Sequence, residues 1–178
     1  SARAWSAVGA IGSGNLVAVA AAAERQGAAF WAQTFWQPPS EHVLENLAYS
    51  ATVADRFSYS GSRAALFARR PGAVVGRKVA GHVVVPPGAT CAEGIVGMVR
   101  GVVELALQIE AGLLPPPERV VVPLGSGGTL AGLWVGFALL GLPVHLHGVS
   151  VVERLWTTRG RVRRLARRTV DRLRAAGV

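Results

Sequence analysis

The sequence predicts an α/β protein with a three-layer, doubly wound and mostly parallel sheet. Short apolar runs rich in β-branched residues alternate with longer segments of helical spacing along the 178-residue chain. Glycine-rich turns follow two of the apolar runs directly, as at the carboxyl ends of parallel strands. Hydrophobic residues make up 51% of the chain and charged residues 16%, which indicates a globular protein with a largely buried sheet.

The first part of the chain is predicted to hold three strands, each followed by a helix. The strands are expected at residues 3–11, 28–36 and 56–60, and the helices at residues 16–26, 40–52 and 62–70. Gly27 is a favourable helix stop and Ser40 a favourable N-cap. A connection at residues 71–78 follows, so we expect a smaller α/β lobe over residues 1–70 and a larger one over residues 71–178.

The same alternation continues in the second part of the chain. Strands are expected at residues 81–85, 119–124 and 144–152, and helices at residues 94–111, 130–140 and 154–176. Gly112 closes the first of these helices, and Gly160 predicts a break in the last.

Residues 120–132 have the layout of a strand, a tight glycine loop and a helix N-terminus. Glycines at positions 125, 127 and 128 let backbone N–H groups turn inward, and the helix start adds unpaired donors and a positive dipole end. Ser126 and Thr129 add hydroxyl donors. The run therefore predicts a phosphate site, and the turn at residues 12–15 lies at the end of another predicted strand.

The residues of the loop can be compared with the motifs of two classes of phosphate ligand. A nucleoside triphosphate loop needs Gly-Lys-Ser/Thr, and Gly128 is followed by Thr129 with no lysine, so this class is excluded. A dinucleotide of the NAD type stays open, because Gly125 and Gly127 follow a strand and Glu153 ends the next strand. Leu130, however, occupies the third glycine position of that pattern.

A third ligand is suggested by a family resemblance. Residues 125–133 (GSGGTLAGL) resemble the cofactor phosphate loop of the fold-type II pyridoxal-phosphate enzymes, the tryptophan synthase β superfamily. Residues 8–15, residues 85–105 and residues 144–152 resemble three further blocks of the 1-aminocyclopropane-1-carboxylate deaminase and D-cysteine desulfhydrase branch, in the same order. The resemblance covers most of residues 4–153 and implies the two lobes of that fold.

The resemblance also implies a function and site residues. It implies a lyase or deaminase that uses pyridoxal 5'-phosphate on a small amino acid, acting as a homodimer. Ser13 would stand near the substrate as the catalytic hydroxyl, and Asn15 would take over the contact with the ring hydroxyl of the cofactor by a one-residue slip, since Gly14 occupies the usual asparagine position. The cofactor phosphate would be held by Gly125, Ser126, Gly127, Gly128 and Thr129.

One element of that chemistry is missing. In the family the Schiff-base lysine precedes the serine turn by about one helix and one strand, and the chain holds a single lysine, Lys78, in the predicted connection. We therefore expect the chain to be the middle part of such an enzyme, inactive by itself. A non-catalytic relative that binds a phosphorylated ligand or a partner is the alternative.

Other features predict no further site. No apolar run of about 18 residues occurs, so no membrane partner is expected, and the single cysteine, Cys91, fits a cytoplasmic protein. His145 and His147 share one face of a strand without a third ligand, so we expect no metal. Residues 153–178 hold nine arginines and two acidic residues, but their apolar stripe favours a solvated amphipathic helix over a nucleic-acid partner.

Overall fold

The computed structural model describes residues 4–69, 82–152 and 158–178. The chain divides into two compact units, Ser1–Gly88 and Ala89–Val178. The predicted connection at residues 71–78, with Lys78, and the predicted acidic position Glu153 lie outside the described residues. Within the described part of the chain, no helix is long and apolar enough to cross a membrane.

The first unit is a parallel sheet with helices in the strand connections. Its strands are β1 (Ala4–Ala10), β2 (Ala29–Phe35), β3 (Arg56–Tyr59) and β4 (His82–Val85), in the sheet order β3-β2-β1-β4. Its helices are α1 (Gly14–Arg25), α2 (Glu41–Val53) and α3 (Arg63–Arg69). The alanine-rich face of α1 packs on one side of the sheet, where Leu16, Ala20 and Phe30 are fully or almost fully buried.

Strand β4 belongs to the first unit, which differs from the expected lobe boundary at residue 70. Ala4 of β1 pairs with His82 of β4, and the chain divides after Gly88. The reason is physical: the composition of residues 71–78 marks a connection, but it does not tell which sheet edge the next strand will satisfy. Backbone hydrogen bonding along the edge of β1 decides that.

In its described residues, the second unit holds three α-helices packed together beside a two-stranded parallel sheet. Its elements are α4 (Ala92–Glu110), β5 (Arg119–Leu124), α5 (Gly128–Leu139), β6 (His145–Ser150) and α6 (Arg159–Arg174). The core of this unit is apolar and joins α4, α5, α6 and the end of β5 through Ile95, Val99, Leu124, Ala131, Val135, Val162, Leu165 and Ala166.

Helix α6 buries the apolar stripe that the sequence predicts, and all of its arginines except Arg161 are exposed. Val162, Leu165, Ala166 and Thr169 are buried. The helix begins at Arg159, because the Thr158 hydroxyl accepts a hydrogen bond from the Arg161 N–H at 3.3 Å as the N-cap. Gly160 therefore lies in the first turn of α6 and does not break the described helix.

Candidate functional site

The glycine loop joins the end of β5 to the start of α5. Gly127 is the N-cap of α5 and has φ +88°, in the left-handed region that favours glycine. A β-carbon at this position would also lie 3.2 Å from Cγ2 of Val162 on α6. The backbone conformation therefore favours glycine at residue 127, and a side chain there would also have to displace Val162 by a few tenths of an ångström.

Two side chains from outside the loop hold its second residue, Ser126. The Thr90 hydroxyl donates to Oγ of Ser126 at 2.6 Å, and Nε of Arg161 donates to the Ser126 carbonyl oxygen at 3.1 Å. Thr90 precedes α4 and Arg161 lies in the first turn of α6, so three segments of the second unit meet at the loop.

The loop and the first turn of α5 carry backbone donors that can hold an anion. The first N–H groups of a helix have no partner within the helix, and the dipole places partial positive charge there. A β-carbon at Gly125 would meet no atom within 4 Å, which leaves open space beside the loop. The backbone donors, the Ser126 hydroxyl and this space together fit a phosphate group.

In the first unit, Ser13 is the N-cap of α1 but its side chain does not cap the helix. Its backbone has φ −71° and ψ 121°, and its hydroxyl makes no capping hydrogen bond. A β-carbon on Gly9 would lie 2.8 Å from the Ser13 β-carbon, so glycine at residue 9 makes room for this side chain. The Ser13 hydroxyl is therefore not consumed by the helix that it begins.

Helix α2 fixes the turn that carries Ser13. The Asn46 side-chain amide donates to the carbonyl oxygen of Gly12 at 2.9 Å, and a β-carbon on Gly12 would lie 2.7 Å from the Val43 α-carbon. Sequence reasoning missed Asn46, Thr90 and Arg161 as contacts of the two turns. Thr90 stood within one of the resembling blocks, but no signal in the sequence marked Asn46 or Arg161.

Asn15, the second residue of α1, carries an unpaired buried donor. Its Nδ2 atom is buried and has no hydrogen-bond partner among the residues that the structure describes. An unpaired buried amide costs about 1–3 kcal/mol, so such a group calls for a partner. A ligand oxygen would satisfy it.

The structure thus groups the predicted site residues in two sets. Ser13 and Asn15 lie together at the start of α1 in the first unit. The five predicted phosphate-binding residues lie together between β5 and α5 in the second unit. Both sets follow the carboxyl end of a parallel strand, as expected for ligand sites of α/β proteins.

The remaining candidates are Cys91 and the two histidines of β6. Burial raises the pKa of the Cys91 thiol, and the negative charge of Glu93 adds to this, so the thiol is protonated at neutral pH. His145 and His147 are exposed, and the described residues contain no group of three metal-ligating side chains. A groove of about 1160 Å³ between α5, β6 and α6 is lined by none of the predicted site residues.

Sequence comparison finds two similar proteins that have the same name. It is 41% identical over 68 residues to a protein of Pyrococcus horikoshii and 35% identical over 90 residues to one of Pyrococcus abyssi, each named "Putative 1-aminocyclopropane-1-carboxylate deaminase". These matches cover 38% and 51% of this chain but only 20% and 27% of the relatives. No family model matches the chain.

Comparison with solved structures covers more of the chain. An ACC deaminase homologue matches 96% of this chain with a TM-score of 0.73 and 25% identity. These matches agree with the resemblance of the motifs to the fold-type II pyridoxal-phosphate enzymes. A threonine deaminase of T.th. has the same fold, with a TM-score of 0.57 and 22% identity over 83% of this chain. The chain spans 51% of the first of these structures and 44% of the second.

Proposed function

We propose that the chain binds pyridoxal 5'-phosphate through the loop at residues 125–129. The observation that carries this proposal is the left-handed Gly127 at the start of α5, with open space at Gly125 and the Ser126 hydroxyl beside it. Similarity to the ACC deaminase homologue supports this choice of phosphate ligand over a dinucleotide of the NAD type.

We further propose that the protein to which these residues belong is a lyase or deaminase of a small amino acid. Its substrate would be 1-aminocyclopropane-1-carboxylate or D-cysteine. The two Pyrococcus relatives are named after a deaminase of the first compound, and the sequence motifs resemble the branch that contains both this deaminase and D-cysteine desulfhydrase. We expect a cytoplasmic protein that forms a homodimer, and light scattering on the purified protein would test the dimer.

The residues of this chain would have separate tasks. Bound pyridoxal phosphate supplies the electron sink for bonds at the substrate α-carbon. The N–H groups of Gly127, Gly128 and Thr129 would hold the phosphate, and the Ser126 hydroxyl would donate a further hydrogen bond. Asn15 would donate its unpaired Nδ2 hydrogen to the ring oxygen, and the uncapped Ser13 hydroxyl would act on the substrate.

The binding proposal is tested by titrating the 178-residue chain and following the fluorescence of its five tryptophans. Pyridoxal phosphate is expected to bind at least about tenfold more tightly than pyridoxal, because charge-assisted hydrogen bonds to the phosphate would be lost with the latter. Inorganic phosphate should compete. Equal affinity for the two compounds would contradict the proposal, and tighter binding of NADH would favour the dinucleotide alternative.

The catalytic proposal is tested separately, because the chain holds only Lys78. Borohydride reduction in the presence of pyridoxal phosphate is expected to leave the chain without a covalent adduct, and deamination by the chain alone should be absent. A longer reading frame with a lysine within about one helix and one strand before Ser1 should support both reactions. If no such lysine precedes the chain, the non-catalytic alternative is favoured, and deamination by the 178 residues alone would contradict our assignment.

A further inference from the structure

Arg161 differs from the other arginines of α6. The helix carries arginines at residues 159, 161, 163, 164, 167, 168, 172 and 174, and all except Arg161 are exposed. Arg161 is half-buried and places its Nε 3.1 Å from the carbonyl oxygen of Ser126 in the glycine loop. An exposed arginine contributes to solubility, but a charged donor bound to a loop carbonyl indicates a role in the structure of that loop.

The position of Arg161 is set by its own helix turn. The Thr158 cap starts α6, and Val162, the next residue, packs beside Gly127 in the core of the second unit. The backbone of Arg161 is therefore held near the loop by its packed neighbour, and the guanidinium is held there by the hydrogen bond to Ser126. A solvated side chain would have no such constraint.

Peptide geometry gives this contact a consequence for the neighbouring amide. The described residues contain no cis peptide bond, so the Ser126 carbonyl and the Gly127 N–H point in opposite directions across one planar group. Fixing the carbonyl toward Arg161 turns the Gly127 N–H to the opposite side of the loop. A cation on the carbonyl oxygen also polarises the peptide and strengthens the N–H as a donor.

We infer that Arg161 is a positioning residue of the phosphate loop. By holding the Ser126 carbonyl, it orients the Gly127 N–H on the opposite side of the peptide toward the phosphate and polarises that N–H group. This inference rests on the proposed function of the loop. It predicts that Arg161 acts on phosphate-bearing ligands alone and does so without touching them.

The test compares Arg161→Met with Arg164→Met in the 178-residue chain, since both remove one charge from α6 and Arg164 is exposed. Arg161→Met is expected to weaken pyridoxal phosphate binding about tenfold and pyridoxal binding less than about twofold. Arg164→Met should change either affinity less than about twofold. Arg161→Lys, which keeps the charge but loses the Nε donor, should give an intermediate affinity for pyridoxal phosphate.

A spectroscopic readout separates positioning from general stability. In ¹⁵N–¹H spectra of the ligand-free chain, Arg161→Met should move the Gly127 amide resonance, and Arg164→Met should leave it in place. Unchanged pyridoxal phosphate affinity in Arg161→Met, with tight binding by the original chain, would overturn the role of Arg161 and leave the proposed function standing. Equal weakening of both ligands would also overturn it, by indicating a structural role. Failure of the original chain to prefer pyridoxal phosphate would overturn the proposed function itself.

Discussion

The segments β1–α1 and β5–α5 follow the same order of strand, tight turn and helix but leave different groups available at the helix start. At the first turn the N-cap is Ser13 in extended conformation, and the Ser13 hydroxyl and the Asn15 amide are available beside the backbone N–H groups that every helix start leaves without a helix partner. At the second turn the N-cap is Gly127, which lies in the left-handed region and has no side chain, so the cap position itself offers only backbone groups.

The two helices also approach their neighbours by different means. Helix α1 packs through alanines such as Ala20 and Ala23, which are fully buried. Helix α5 packs against α4 through glycines, and a β-carbon on Gly136 would lie 2.7 Å from the Val102 β-carbon. Glycine therefore has two roles in the β5–α5 segment: Gly127 shapes the loop, and Gly136 lets α5 approach α4 closely.

The largest expected effect concerns this close helix contact. Gly136→Ala should lower the free energy of unfolding by about 1–3 kcal/mol, because the new methyl group must displace the packed Val102 side chain. Gly101→Ala on the exposed side of α4 meets no atom within 4 Å and should raise it by about 0.5–1 kcal/mol. Urea unfolding of both variants measures the two changes in the free energy of unfolding. Two changes of the same sign would contradict the role of Gly136 in the close contact between α4 and α5.

The next effect concerns the loop itself. Gly127→Ala should cost about 1–2 kcal/mol of stability, because a side chain disfavours the left-handed region. It should also weaken pyridoxal phosphate binding. Gly125→Ala adds its methyl group to open space and should leave the unfolding midpoint almost unchanged. If thermal unfolding shows equal losses for the two alanine variants, the backbone argument for this loop is wrong.

The smallest effect separates a capping serine from a non-capping one. Ser40 accepts a hydrogen bond from the Val43 N–H at 3.3 Å, so Ser40→Ala should cost about 0.5–2 kcal/mol of unfolding free energy. Ser13 makes no capping hydrogen bond, and Ser13→Ala should cost less than about 0.5 kcal/mol. Chemical denaturation of the pair decides this point. A larger loss in Ser13→Ala would show that its hydroxyl serves the fold and not a ligand.

Much of the local structure follows from the sequence because its signals are local. The strand expected at residues 119–124 is β5 (Arg119–Leu124), and the helix expected at residues 94–111 is α4 (Ala92–Glu110). Apolar spacing sets the element type, and Ser40 begins α2 by its own hydroxyl. The glycine loop was equally visible, since a strand, a turn and a helix start are adjacent in the chain.

The sequence by itself determined the alternation of elements, the glycine loop and the resemblance to fold-type II enzymes, since all three depend on neighbouring residues. Tertiary structure alone decided that β4 joins the first sheet, that Asn46 holds the turn before Ser13, and that Arg161 holds Ser126. The contact of Asn46 with Gly12 spans 34 positions of the chain, and the contact of Arg161 with Ser126 spans 35. No pattern along the chain specifies such partners, because the packing of α2 brings Asn46 to the first turn and the packing of α6 brings one of its eight arginines to the second.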